Sequence, residues 1–246
     1  AAKFTGKAGS ALDLVAPAGT DLHRLMVFGL GRGEGDPATE WVKTGGQVLG
    51  KIGTAKATVL VDIPPGLGDD PTKAAVDMAL GARLRSYSFD RYKTKKKPDE
   101  ENEGAANIAF AVADDAAAKK AWKAHQALAE GVDIARDLVN EPSNVLYPEE
   151  FAKRAAKLVD DGVVVEILDE KALKKLGMGA LLGVGQGSEK ESRVVVMRWN
   201  GGPKTQKPVA FIGKGVTFDT GGISIMPAGS MGDMKGDMAG AASVTG

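Results

Sequence analysis

The sequence predicts an α/β protein. Two observations carry that prediction. Short apolar runs of strand length alternate with longer segments whose apolar residues recur every three or four positions. The same alternation restarts after Pro142, so two α/β units follow one another. We place an N-terminal α/β domain over 1–113, a linking helix over 114–140 and the first part of a second α/β domain over 141–246.

In the first domain "LMVFG" (25–29) reads as a buried strand, and "ATEWVKTGGQVLGKI" as a helix that Gly45 and Gly46 weaken. "TVLVDI" (58–63) is a strand ended by Pro64 and Pro65. Ala75, Met78, Ala79, Ala82 and Leu84 have helical spacing, and "NIAFAV" (107–112) is a further strand. This order suggests a largely parallel sheet. The segment 114–142 is the clearest helix. Trp122, His125, Leu128, Ala129, Val132, Ala135, Leu138 and Val139 form its apolar stripe, Asp114 or Asp115 caps it and Pro142 stops it. His125 lies on that stripe as a packed core histidine, because no second ligand type sits three or four residues away.

In the second domain a helix is expected over 148–161, a strand over 163–168, and a short helix over 169–177 closed by Gly177. Strands follow at 193–199 and 208–213, separated by the turn "GGPKTQK"; "GVGQGS" (183–188) reads as a flexible turn.

Composition narrows the chemistry. Apolar residues make up 43% and charged residues 26%, as in soluble globular proteins. No apolar run approaches the roughly 20 residues of a membrane span, and no signal-peptide pattern opens the sequence. Lys plus Arg equals Asp plus Glu at 32 each, so no overall field points to nucleic acid or membrane. With no cysteine and only His23 and His125, a metal site must rely mainly on carboxylates. A cytoplasmic location is expected.

Three other stretches invite function and fail on chemistry. "RYKTKKKPDEENEG" (91–104) is basic and then acidic, so its halves cancel and a solvated loop is preferred. "VFGLGRGEGD" (27–36), with Asp62 beyond it, has the context of a dinucleotide loop. Its spacing puts Glu34 or Asp36 where the last glycine belongs, so a nucleotide-binding module is the weakest reading. "IGKGVT" lacks the upstream glycine and the Ser/Thr of a phosphate loop.

The stretch 211–246 concentrates the remaining chemistry. Lys214 sits between Gly213 and Gly215 at the end of the expected 208–213 strand, where α/β sheets place their ligands. Asp219 follows in "TFDTGG". Asp233 is positioned to cap a helix containing Asp237, and Ala239, Gly240, Ala241 and Ala242 keep that helix slim. Spacing leaves two readings open. One is an ion pair that fixes the loop, the simpler of the two. The other is a metal site with Asp219 and Asp237 as oxygen ligands and Lys214 as a neutral nitrogen ligand.

"GKGVTFDTGGISIM", "MKGDMAGAA", "ARDLVNEPSNVLYPEEFA" and "RYKTKKK" closely resemble the leucyl aminopeptidase family, hexameric two-zinc exopeptidases. The resemblance implies a macro-like N-terminal α/β domain, a linking helix and a zinc-peptidase domain of which this sequence carries only the first part. It implies two divalent metals, zinc or manganese, that activate water for attack on the N-terminal peptide bond, with bicarbonate as a possible base. Lys214 resembles a ligand of one metal, Asp219 a ligand shared by both, and Asp237 a further ligand of the metal held by Lys214. Met234 resembles a residue lining the pocket for the substrate's first side chain. A peptide substrate with an apolar N-terminal residue such as leucine and a homo-hexamer follow from the same likeness.

Two departures stand out. Met226 occupies the family's catalytic-lysine position, and a thioether offers neither charge nor donor to an oxyanion. Gly232 stands where an acidic residue is common. The family's downstream Asn-Thr-Asp-Ala-Glu-Gly-Arg segment, with its further carboxylates, is not in these 246 residues. The resemblance therefore predicts an aminopeptidase, inactive as this chain alone, with a catalytically impaired structural or DNA-binding relative as the alternative.

Overall fold

The computed structural model describes residues 3–31, 37–61, 63, 70–95 and 107–246. They form two compact units, 1–130 and 131–246.

In the first unit β1 (Ala11–Val15) pairs antiparallel with β2 (Arg24–Phe28), Ala11 opposite Phe28 and Val15 opposite Arg24. Sequence reading missed β1, although "ALDLV" alternates apolar and polar residues as a half-buried strand does. Arg24 clasps Asp13 across the ribbon through two hydrogen bonds of 2.8 and 2.6 Å. That pairing holds the Asp13 carboxyl below its ordinary pKa. β3 (Lys56–Leu60) pairs parallel with β4 (Asn107–Ala111). The expected strand 58–63 thus begins earlier and ends before Val61. The expected largely parallel sheet is not found: among the described residues each sheet has two strands, and only this pair is parallel.

Helix α1 (Pro37–Ile52) packs on α2 (Pro71–Arg85), which is capped by Asp70 and opened by Pro71. The glycines that weaken α1 on propensity grounds have a packing role. A Cβ on Gly45 would run into the Met78 carbonyl, and one on Gly81 into the Val42 carbonyl. The helices approach at backbone distance because neither side chain exists there. Trp41, Val48, Ala74 and Met78 form the core, with Phe28, Val59 and Phe110 of the strands against it.

α3 (Asp115–Asn140) is the predicted long helix, and its first turn is capped by Asp114 accepting from the Ala117 amide at 2.9 Å. His125 is not simply packed. Its Nε2 lies 2.9 Å from Asp77 Oδ1 on α2, a partner 48 residues away that no local spacing rule finds.

In the second unit α4 (Pro148–Ala156) tightens into a 3-10 turn over Lys157–Asp161. β5 (Val164–Leu168) pairs antiparallel with β6 (Val194–Arg198). Between them lie α5 (Glu170–Lys175), capped by Asp169, and α6 (Gly179–Gly185). The segment 183–188 is therefore helix up to Gly185 and not wholly a turn.

The expected strand 208–213 is not formed. Its continuous apolar run over 209–212 fits a buried strand, but a strand needs a neighbour to complete its backbone hydrogen bonds, and none pairs with it among the described residues. Val209, Phe211 and Ile212 are exposed, Ile212 at 95%. Two short helices close the unit, α7 (Ala228–Met231) and α8 (Ala239–Thr245), with a 3-10 turn over Gly232–Gly236 between them. Leu138, Leu146, Phe151, Met238 and Ala242 make its core.

No helix among the described residues is long and apolar enough to cross a membrane. Residues 96–104 of the charge block, 32–36 of the glycine loop and Asp62 lie outside the described residues.

Candidate metal centre

Lys214 is placed by backbone contact. A Cβ on Gly213 would collide with the Gly240 carbonyl of α8, so the close approach of chain and helix requires a glycine at 213. The Lys214 carbonyl then accepts from the Ala241 amide at 2.9 Å. The small residues of α8 provide the close approach the sequence suggests.

Asp237 sits differently from expectation. It follows the 3-10 turn as its C-cap, its amide bonded to the Met234 carbonyl at 3.2 Å, and α8 begins only at Ala239. Asp233 makes no helix cap, because the turn begins after Met231 and carries no side-chain cap. The seat beneath Asp237 is Met238, which is fully buried at 0% exposure among Leu138, Leu146 and Phe151.

Lys214 Nζ donates to Asp237 Oδ1 at 2.7 Å. The ammonium is more than half exposed at 58%, whereas Asp237 is largely covered at 20%. Asp237 Oδ2 is buried and has no hydrogen-bond partner. Leaving such an oxygen unsatisfied costs about 1–3 kcal/mol, more when charged. An ion pair alone would not require that orphaned oxygen.

Asp219 is held within its own loop, Oδ1 accepting from the Gly221 amide at 2.8 Å. Gly221 and Gly222 adopt φ of 89° and 63°, left-handed values that a side chain would strain. Met226 donates its amide to the Thr220 carbonyl at 2.9 Å, closing the same loop. Met226 and Met234 are both half-buried.

The structure thus brings Lys214 and Asp237 together and organises Asp219 and Met226 in one loop of their own. Among the described residues no group of three or more His, Cys, Asp or Glu side chains gathers at metal-holding distance. The orphaned Asp237 oxygen beside an amine fits one face of a divalent-ion site. Hard oxygen donors with one nitrogen suit zinc or manganese.

Sequence reasoning missed the support for this face. Glu141, at the end of α3, is 1% exposed and accepts from Arg154 Nη1 at 2.9 Å. Arg154 Nε also donates to Glu150 at 3.1 Å. Burial opposes the Arg154 charge, but the bonds to Glu141 and Glu150 outweigh it and raise its pKa. Glu141 follows Leu138 by three residues, a spacing that places it on the buried stripe and could have signalled the pair.

Family models match both parts of the chain. Residues 1–96 match the cytosol aminopeptidase family N-terminal domain, and residues 133–246 match that family's catalytic domain. The chain belongs to the cytosol aminopeptidase family. Curated relatives of the family agree. A protein named "Probable cytosol aminopeptidase" from Bradyrhizobium sp. is 60% identical over 100% of this chain and 49% of its own length. One of the same name from Rhodopseudomonas palustris is 57% identical over the same shares. The chain therefore spans about half the length of the curated relatives it matches. Among solved structures, a tomato leucine aminopeptidase mutant aligns with a TM-score of 0.79 and 25% identity, over 98% of this chain and 46% of its own. The bottromycin maturation enzyme BotP in complex with Mn aligns with a TM-score of 0.75 and 29% identity, over 99% and 50%. These likenesses support the truncated α/β peptidase architecture expected from the sequence.

Proposed function

We propose that the natural protein is a metal-dependent aminopeptidase that releases N-terminal residues, preferably leucine and other apolar ones, from peptides. The observation that carries this reading is Asp237, with one oxygen on Lys214 at 2.7 Å and the other buried without a partner. Family membership and the manganese bound to BotP support it.

Two divalent metals, zinc or manganese, would supply Lewis-acid activation of the peptide carbonyl and of water. Lys214 and Asp237 would hold one, with Asp219 shared between both. To serve as a ligand Lys214 would have to give its proton to solvent and bind as the neutral amine, ending its hydrogen bond to Asp237 Oδ1. Met234 would line the pocket for the first side chain. Bicarbonate is the proposed base. Met226 offers no donor to an oxyanion, so its side chain contributes only packing; one missing oxyanion donor typically costs about 10²–10³ in rate. These residues gather too few carboxylates for a two-metal centre, so we expect no hydrolysis from this chain alone.

We further propose that the protein is a cytoplasmic homo-hexamer. Its functional division is an N-terminal domain over 1–113, a linking helix over 114–140 and a peptidase domain from 141. The second reading is a catalytically impaired structural or DNA-binding member of the family, favoured by Met226. Charge balance argues against the DNA version.

The test is leucyl anilide hydrolysis by the full natural protein with added zinc or manganese, alongside Asp237→Asn. Metal-stimulated release that the variant loses supports the peptidase reading. No release, together with a salt-dependent shift of duplex DNA, would establish the second.

A further inference from the structure

The Glu141–Arg154 pair stands outside the chemistry proposed above, yet it is the buried charge of the second unit. The Glu141 side chain is 0% exposed and Arg154 23%. Buried ion pairs contribute little net stability against an apolar replacement; their best-attested benefit is to specify one geometry. What this pair specifies is the corner between α3 and α4. Glu141 ends α3, and Arg154 lies on α4, where Glu150 holds it from the other side at 3.1 Å. Leu146 is in the turn between them, 2% exposed, and Phe151 is on α4.

Leu138, Leu146 and Phe151 are the residues that close on Met238. Met238 directly follows Asp237. A second contact runs to the same place: Lys235 Nζ, two residues before Asp237, lies 3.5 Å from Asn140 Oδ1, one residue before Glu141. Val139 of α3 also approaches the backbone at Gly236. The α3–α4 corner therefore grips the 235–238 segment from below, while Lys214 meets Asp237 from the exposed side.

We propose that Glu141 and Arg154 are positioning residues for the metal ligand Asp237, acting through the Leu138, Leu146 and Phe151 socket. The inference rests on the metal reading given under Proposed function. The bonds of Arg154 run to Glu141 and Glu150, and the bond of Asp237 runs to Lys214. It fixes the corner, the corner fixes Met238, and Met238 fixes the direction in which the Asp237 carboxylate points. Groups bonded directly to a metal ligand typically carry about 10–100-fold in metal affinity; this pair acts through packed side chains, so its effect falls at the low end of that range.

The experiment measures Co²⁺ affinity of the full natural protein by competition with a chromophoric chelator, and records the visible Co²⁺ spectrum. Glu141→Gln keeps the shape and removes the charge. Leu173→Ala, at a fully buried residue of α5 outside the socket, is the control for general destabilisation. Arg154→Lys tests partial rescue, since it keeps the charge without the fork. We expect Glu141→Gln to lose about 10-fold in affinity, the low end of the range for outer groups, with an altered spectrum, Arg154→Lys to lose less, and Leu173→Ala to match wild type. Equal affinity in wild type and Glu141→Gln would overturn this inference alone. An equal loss in Leu173→Ala would reduce the pair to a structural role. A wild-type protein that takes no cobalt would overturn the metal reading and this inference with it.

Discussion

Met238→Ala is the sharpest perturbation of the second unit. Met238 is fully buried and touches the Leu138, Leu146, Phe151 and Ala242 cluster. Truncating a buried methionine to alanine costs about 2–5 kcal/mol, from lost transfer energy and the cavity left behind. The upper half of that range applies, because the socket is built from two helices whose corner a buried ion pair restrains from collapsing inward. For a chain of this size each kcal/mol moves the midpoint by about 2–4 °C. A fall of roughly 7–20 °C follows from the same scaling. The assay is thermal unfolding by circular dichroism, with Met231→Ala as the comparison. Met231 is half-buried on α7 and lies outside the cluster, so its substitution is expected to shift the midpoint far less. The two sites share a residue type, so their contrast isolates burial. A shift below about 2 °C for Met238→Ala, less than 1 kcal/mol on that scale, would refute the socket.

Gly45→Ala is expected to unfold or severely destabilise the first unit, because the new methyl meets the Met78 carbonyl of the facing helix. Gly46→Ala has its nearest neighbour at 3.5 Å and gains helix propensity worth about 0.5–1 kcal/mol, so denaturant melts of the two variants move in opposite directions. Asp13 is held below its ordinary pKa by its hydrogen bond with Arg24. Its contribution is therefore present above the unfolded carboxylate pKa and lost as pH falls through the lower folded value. Arg24→Gln moves the Asp13 carboxyl titration in carbon NMR back upward. Met226→Lys in the full natural protein is expected to raise leucyl anilide turnover by about 10²–10³; unchanged turnover in a metal-loaded variant would show that Met226 does not limit the rate.

Helices and local glycine geometry were largely legible in the sequence because both are short-range. Asp114, Asp169 and Pro142 mark helix ends by chemistry acting within a few residues. The motif at 213–242 likewise pointed to Lys214 and Asp237 before their 2.7 Å contact was visible. Long-range pairing was not legible. Nothing local tells whether 208–213 will find a neighbouring strand, and Val209, Phe211 and Ile212 stay exposed without one. His125 and Asp77 are 48 residues apart, so the stripe predicted burial but not the partner. Asp237 was expected inside a helix because small residues follow it; the turn ends one step earlier, and that step leaves its carboxylate free to meet Lys214.

The proposed function requires Asp237 to be a metal ligand. The most direct measurement is anomalous diffraction from crystals of the full natural protein soaked in zinc or manganese. The account predicts a zinc peak about 2.0–2.2 Å from an Asp237 carboxylate oxygen, with Lys214 Nζ turned from hydrogen-bond donor to ligand. A fully soaked crystal with no peak at Asp237, and Lys214 still bonded to it, would contradict the account.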